Sequence, residues 1–78
     1  MSVKINFPKS GMGIEEGTVV RWLKGVGERI DRGEVLVEIE TEKALQEVLA
    51  PESGTLAEVH ARDGEIVAVN TSLGVIET

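Results

Sequence analysis
The chain repeats itself. Laid on residues 54–78 at an offset of 37 with no gap, residues 17–41 match at eight of 25 positions, where average residue usage gives only about one or two by chance. The identities are Gly17/Gly54, Thr18/Thr55, Gly27/Gly64, Glu28/Glu65, Leu36/Leu73, Ile39/Ile76, Glu40/Glu77 and Thr41/Thr78. Val19/Leu56, Trp22/Val59 and Ile30/Val67 are apolar in both halves, and Gly33 pairs with Asn70, two residue types that tolerate a left-handed backbone at a turn. Upstream, FPKSG at 7–11 resembles APESG at 50–54, an offset of 43, so the first half carries six extra residues around 12–17. Each half exposes an apolar face that it cannot bury alone. Two halves stacked face to face about a pseudo-twofold axis cover both faces.

The periodicity within a half fixes what those faces are made of. No helix-period apolar spacing persists over a window of about 11 residues. Short apolar runs alternate instead with Gly, Pro, Asn, Asp and Ser clusters. Strands are expected at 3–7, 17–24, 29–30, 35–40, 45–50, 54–61, 65–69 and 73–77, in an all-β sandwich or barrel. Gly27, Gly33, Gly54 and Gly64 are expected at turns. Trp22 is expected in the core, with a position at its rim as the alternative, and His60, which aligns with Leu23, as an ordinary strand residue. Residues 1–78 make one small domain.

The repeat also says where Lys43 stands. In the first half, Ile39-Glu40-Thr41 runs into Glu42-Lys43-Ala44; in the second, Ile76-Glu77-Thr78 ends the sequence. A twofold operation puts the lysine turn and the two chain ends at opposite poles. Lys43 is therefore expected at a hairpin tip, with the inserted loop from Met12 to Glu16 beside it. Placement alone does not distinguish a solvated turn lysine from a functional one.

Composition removes whole classes of function. The net charge of −6 argues against nucleic acid and anionic membrane surfaces, which reward clustered Lys and Arg. It fits either solubility or a preference for basic partners. With no cysteine and one histidine, neither disulfides nor a Cys- or His-rich metal site is available. No apolar run approaches the roughly 20 residues of a membrane span, and the first residues do not read as a signal peptide. No Gly-rich phosphate loop opens a helix. No base is evident in the sequence beside Ser10, Ser53 or Ser72.

Taken together, Gly17, Val19, Trp22, Gly27-Glu28, Glu40-Thr41-Glu42-Lys43-Ala44 and Pro51 with Gly54 resemble the biotinyl/lipoyl attachment domain family. The match is more specifically to lipoyl domains of 2-oxo acid dehydrogenase acyltransferases, over about residues 3–77. The resemblance implies a flattened barrel of two four-stranded antiparallel sheets with pseudo-twofold symmetry, a barrel-sandwich hybrid. It implies lipoic acid in amide linkage to Lys43, which loses its charge and becomes the base of a swinging arm. A tether of this kind replaces diffusion with high local concentration. In the family a thiamine-diphosphate decarboxylase acylates the arm, an acyltransferase core passes the acyl group to coenzyme A, and a flavin dehydrogenase reoxidises the dithiol.

The same resemblance implies the remaining partners and residues. A lipoate-protein ligase or lipoyl transferase reads the tip, where acidic Glu42 and small Ala44 leave the lysine accessible. Glu42 stands where lipoyl domains usually carry aspartate. The biotinyl branch has methionine on both sides of its lysine, and this chain has neither. Glu15 and Glu16 lie in a loop that in the family helps the decarboxylase choose its lipoyl domain; the alternative is a plain polar loop. Glu38, Glu40, Glu42 and Glu47 are expected to make the tip region acidic and to speed encounter with basic partners, or to be a solvated strand face. The chain is then a substrate of other enzymes rather than a catalyst. Two alternatives stay open, a biotin carrier of a carboxylase and an unmodified interaction module. The expected location is a bacterial cytoplasm, or the mitochondrial matrix if the chain is excised from a eukaryotic precursor.

Overall fold
The computed structural model describes residues 1–7 and 14–78. Its strands are β1 (Ser2–Asn6), β2 (Glu16–Trp22), β3 (Arg29–Ile30), β4 (Val35–Glu40), β5 (Leu45–Leu49), β6 (Gly54–Val59), β7 (Ile66–Ala68) and β8 (Ser72–Glu77). These are the eight expected strands, with ends moved by two residues or fewer. Among the described residues there is no helix.

The strands form two antiparallel four-stranded sheets. One, in the order β5-β4-β2-β7, carries Lys43 between β4 and β5 and is called here the lysine sheet. The other, β1-β8-β6-β3, holds both chain ends and is called the terminal sheet. The repeat maps one sheet onto the other strand by strand: β5 onto β1, β4 onto β8, β2 onto β6, β7 onto β3. The irregularities repeat too. The register of β2 on β4 shifts between Val19 and Arg21, and that of β6 on β8 shifts between Leu56 and Glu58, 37 residues on. One expectation needs correction. The sequence halves do not stack face to face as intact units; each sheet takes two strands from each half. β1 and β3 pair with β8 and β6 of the other half, and β5 and β7 pair with β4 and β2.

Alternation along the strands sends one set of side chains between the sheets. Ile5, Phe7, Val19, Ile30, Leu36, Val37, Ile39, Leu56, Leu73 and Ile76 are fully buried there. β4 and β8 have the same burial pattern residue by residue, with two adjacent inward positions where β4 shifts register on β5 and β8 shifts register on β1. Trp22 is half-buried at the edge of this core, and its indole N–H donates to the Ala61 carbonyl at 2.6 Å. Gly54 is not a turn residue but opens β6. A Cβ there would run into the Glu77 carbonyl oxygen and lie 2.8 Å from Ile76 Cγ2. At its repeat partner Gly17, a Cβ would lie 2.5 Å from Ile39 Cγ2. Gly74 makes room across the core: a Cβ there would sit 2.5 Å from the Glu58 carbonyl oxygen and 3.2 Å from the Trp22 ring.

One four-residue turn occurs three times, at Gly25–Glu28, Asp31–Glu34 and Arg62–Glu65. In each, the third residue is a glycine with φ of +94°, +90° or +88°, the sign that position i+2 of a type II turn requires. The glutamate N–H then donates to the carbonyl of the first residue, at 3.1, 3.0 and 3.0 Å. The glutamate carboxylate accepts in return from the backbone N–H of the first residue, as Glu34 does from Asp31 at 2.6 Å and Glu65 from Arg62 at 3.0 Å; Glu28 does the same with Gly25. A fourth turn, Ala68–Thr71, keeps the geometry with Asn70 at φ 67°.

Two predictions follow from this packing. Gly54→Ala and Gly74→Ala each add a methyl against backbone that cannot retreat, and each should cost about 1–3 kcal/mol, read by urea unfolding. The second concerns acid. The Asp31 N–H, and after it Lys24 at 3.3 Å, hold the Glu34 carboxyl below the usual glutamate range. A carboxylate lowered on folding contributes stability above its unfolded pKa, about 4.3. That contribution is lost as pH falls through the folded value. Thermal unfolding of Glu34→Gln should therefore depend less steeply on pH below about 4.3 than that of the parent.

Candidate functional site
Lys43 stands where the sequence puts it, exposed in the turn between β4 and β5. Thr41 holds that turn closed. Its N–H donates to the Ala44 carbonyl at 2.9 Å, and its hydroxyl donates to the same oxygen at 2.9 Å. The hydroxyl oxygen in turn accepts the N–H groups of Lys43 at 3.4 Å and Ala44 at 3.3 Å. One half-buried side chain thus ties both ends of the tip, and Glu42, Lys43 and Ala44 are left outside. The opposite pole repeats the pattern without the bridging residues. Thr78 N–H donates to the Met1 carbonyl at 2.9 Å and Thr78 Oγ1 does so at 3.1 Å. Sequence reading passed over Thr41 as a site residue. The signal was there, because Thr41 and Thr78 are one of the eight identities.

Around the tip the described part of the inserted loop closes in, as expected. An open hollow of about 370 Å³ is lined by Glu16, Gly17, Thr18, Glu40, Thr41 and Glu42. A smaller one of about 100 Å³ is lined by Ile14, Glu15, Glu16 and Glu42. Glu15 is anchored through its backbone, its carbonyl accepting the Val69 N–H at 2.9 Å. The structure therefore brings Glu15, Glu16, Glu40 and Glu42 together at the base of the lysine turn. The expected position of Met12 in this loop lies outside the described residues, as does Ser10.

Three expectations change. Glu38 and Glu47 face each other two residue pairs down the hairpin from Glu40 and Leu45. Glu38 there accepts the Arg21 guanidinium N–H at 2.8 Å, so it contributes little bare charge. Ser72 does have a base beside it: its Oγ lies 3.4 Å from His60 Nδ1, and His60 Nε2 lies 2.8 Å from Glu58 Oε1. The three lie on the outside of the terminal sheet, and the hydroxyl also donates to the Gly74 carbonyl at 3.3 Å. His60 lies just past the end of β6 rather than inside it.

A rigid barrel that presents one lysine on a pinned hairpin defines a class, the covalent carrier domains. The family model described as biotin-requiring enzyme matches residues 3–76, and the chain belongs to this biotinyl/lipoyl attachment family. It is 40% identical over 73 residues to the succinyltransferase component of the 2-oxoglutarate dehydrogenase complex of Staphylococcus saprophyticus, covering 94% of this chain and 17% of that protein. It is equally similar, 40% over 73 residues, to the acetyltransferase component of the acetoin cleaving system of Bacillus subtilis, covering 94% of this chain and 18% of that one. The solution structure of the lipoyl domain of the 2-oxoglutarate dehydrogenase complex from Azotobacter vinelandii superposes with a TM-score of 0.73 at 35% identity, covering all of this chain and 96% of that one. The chain thus spans less than a fifth of the acyltransferases it matches and nearly the whole of a solved lipoyl domain. It is a lipoyl-type carrier domain.

Thr41→Val keeps the shape of the side chain and removes the hydroxyl. With each hydrogen bond worth about 1 kcal/mol, lipoylation by a purified lipoate ligase should slow by roughly fivefold in kcat/KM. The urea midpoint should fall as well, since the same hydrogen bonds are lost, so the rates are compared with both proteins fully folded.

Proposed function
We propose that Lys43 is the attachment residue, that its Nζ carries lipoic acid in amide linkage, and that the domain serves a 2-oxo acid or acetoin dehydrogenase complex. The observation that carries this reading is the pinned hairpin, on which Glu42, Lys43 and Ala44 are exposed. The residues present fit the group. An exposed lysine amine on a fixed base is what amide formation needs, and the neighbouring carboxylates and small Ala44 leave it open to a ligase. When bound, the lipoyl group supplies a disulfide that accepts an acyl group and two electrons. The chain's own share is to hold Nζ at the tip, to keep the turn from folding back through Thr41, and to offer Glu15, Glu16, Glu40 and Glu42 to basic partner surfaces.

On this reading residues 1–78 are one carrier domain, a substrate rather than a catalyst. A lipoate-protein ligase or lipoyl transferase, the thiamine-diphosphate decarboxylase, the acyltransferase core and the dihydrolipoyl dehydrogenase act on it. Glu15, Glu16, Glu42 and Ala44 are the recognition residues. The matching location is a bacterial cytoplasm, or the mitochondrial matrix for a piece of a eukaryotic precursor.

Intact mass of the protein, made in a host supplied with lipoate and biotin, tests the reading beside Lys43→Gln. A gain of one lipoyl amide in the parent and none in the variant is expected. A biotinyl gain would move the function to carboxylation. No gain, even with purified lipoate ligase, would reduce Lys43 to a turn residue.

A further inference from the structure
The internal twofold supplies a control that few proteins offer, because each position of one sheet has a counterpart in the same place on the other. Met1 apart, the large apolar side chains exposed among the described residues are Val20, Leu23, Val26, Leu45, Leu49 and Ile66. All belong to the lysine sheet or to the segment that leaves β2. Their counterparts in the other half of the fold are Ala57, His60, Asp63, Ser2, Asn6 and Arg29. The barrel therefore does not need apolar residues at these places, since it builds an equivalent sheet with polar or small ones. Leu45 and Leu49 are each 53% exposed and Ile66 is 67% exposed.

Charge follows the same division. By register and alternation, the outer side of the lysine sheet bears Glu16, Glu38, Glu40 and Glu47 against Arg21 alone. The outer side of the terminal sheet bears Lys4 and Arg29 against Glu58 and Glu77, and is balanced. Apolar side chains set among uncompensated carboxylates are the complement of a surface on which Lys and Arg stand among apolar groups. A second copy of this chain is a poor occupant, because a twofold contact sets Glu40 and Glu47 against their own kind. Position adds the last point. β4 and β5 form the lysine hairpin, so Glu40 and Leu45, paired across it, flank the tip. A protein seated here has the arm at the edge of its own footprint.

We propose that the outer face of the lysine sheet is a docking face for a partner enzyme bearing a mixed basic and apolar surface beside the active site that the Lys43 arm enters, while the terminal sheet faces solvent. This rests on the carrier reading above. The variant Leu45→Ser/Leu49→Asn/Ile66→Arg transplants the terminal sheet's own residues, which the fold already tolerates at the equivalent sites. The reverse variant Ser2→Leu/Asn6→Leu changes the other face. The 2-oxo acid and acetoin decarboxylases of the source organism are screened on the lipoylated parent, and reductive acylation of both variants is then measured with the best of them. The lysine-sheet variant should lose on the order of tenfold in kcat/KM, through KM, as removal of one well-packed interface cluster does. It should keep its lipoyl mass, its kcat and its urea midpoint, and the terminal-sheet variant should match the parent. Amide line broadening of the unlipoylated domain, titrated with the same decarboxylases, should fall on β2, β4, β5 and β7. Equal kcat/KM for all three proteins, equal losses in both variants, broadening spread over both sheets, or a lipoylated parent that no decarboxylase acylates would each overturn the proposal. So would a parent dimer in sedimentation that the lysine-sheet variant abolishes while acylation is unchanged. Absence of the lipoyl mass, in contrast, sinks the carrier reading and leaves the face to be decided by the line broadening.

Discussion
The barrel depends on a reciprocal set of four backbone hydrogen bonds. Gly64 N–H donates to the Val19 carbonyl at 2.6 Å and Val19 N–H donates to the Glu65 carbonyl at 2.8 Å. The twofold images are Gly27 to Leu56 at 2.8 Å and Leu56 to Glu28 at 3.0 Å. Each turn of one half is thus bonded to the central strand of the other half, at the point where that strand shifts register. The extra residue at each shift turns Val19 and Leu56 fully inward while freeing their backbone groups for the turn. Those turns need a glycine with positive φ in the third position and a carboxylate in the fourth, which is why Gly27-Glu28 and Gly64-Glu65 are among the few identities that survive between the halves. Loss of either pair would unlatch β3 or β7, the two shortest strands, from its sheet.

From that interlock the position of the lysine follows without further instruction. The 68–71 turn is bonded to the residue just after β1 and the residue just before β2, Asn70 N–H donating to the Phe7 carbonyl and Val69 N–H to the Glu15 carbonyl. β8 then runs away from that pole for six residues, about 20 Å at 3.3 Å each, to where Thr78 meets Met1. The twofold image of that meeting is Thr41 with Ala44. Rigidity at the tip is inherited from a closure the fold makes anyway, and two residues inserted between Thr41 and Ala44 turn a seam into a presented side chain.

Much of this was legible in the sequence because the informative signals were local or repeated. Strand positions followed from apolar runs cut by turn clusters, and the pole occupied by Lys43 followed from comparing the two Ile-Glu-Thr segments. What escaped depended on which half pairs with which. Offset alignment cannot tell two stacked halves from two interleaved ones, since both bury the same residues and differ only in which strands pair. Gly54 looked like a turn residue because it follows Pro51-Glu52-Ser53; its role is close approach to the backbone of β8. Ser72 and His60 are 12 residues apart, and only the pairing of β6 with β8 brings them together.

Symmetry also changes what an exposed residue means. A lone exposed leucine on a monomeric protein needs no explanation. Here each strand position has a twin held in an equivalent backbone, so the comparison subtracts what the fold requires. Gly17 and Gly54, Thr41 and Thr78, and the Gly-Glu turns are the same in both halves and serve the barrel. Glu42 and Lys43 have no counterpart, and Leu45, Leu49 and Ile66 have polar ones. The residues that break the twofold lie on one pole and one face, and β4 and β5 join the two. Under the docking proposed above, this division keeps the polar half of the surface apart from the half that would meet a partner.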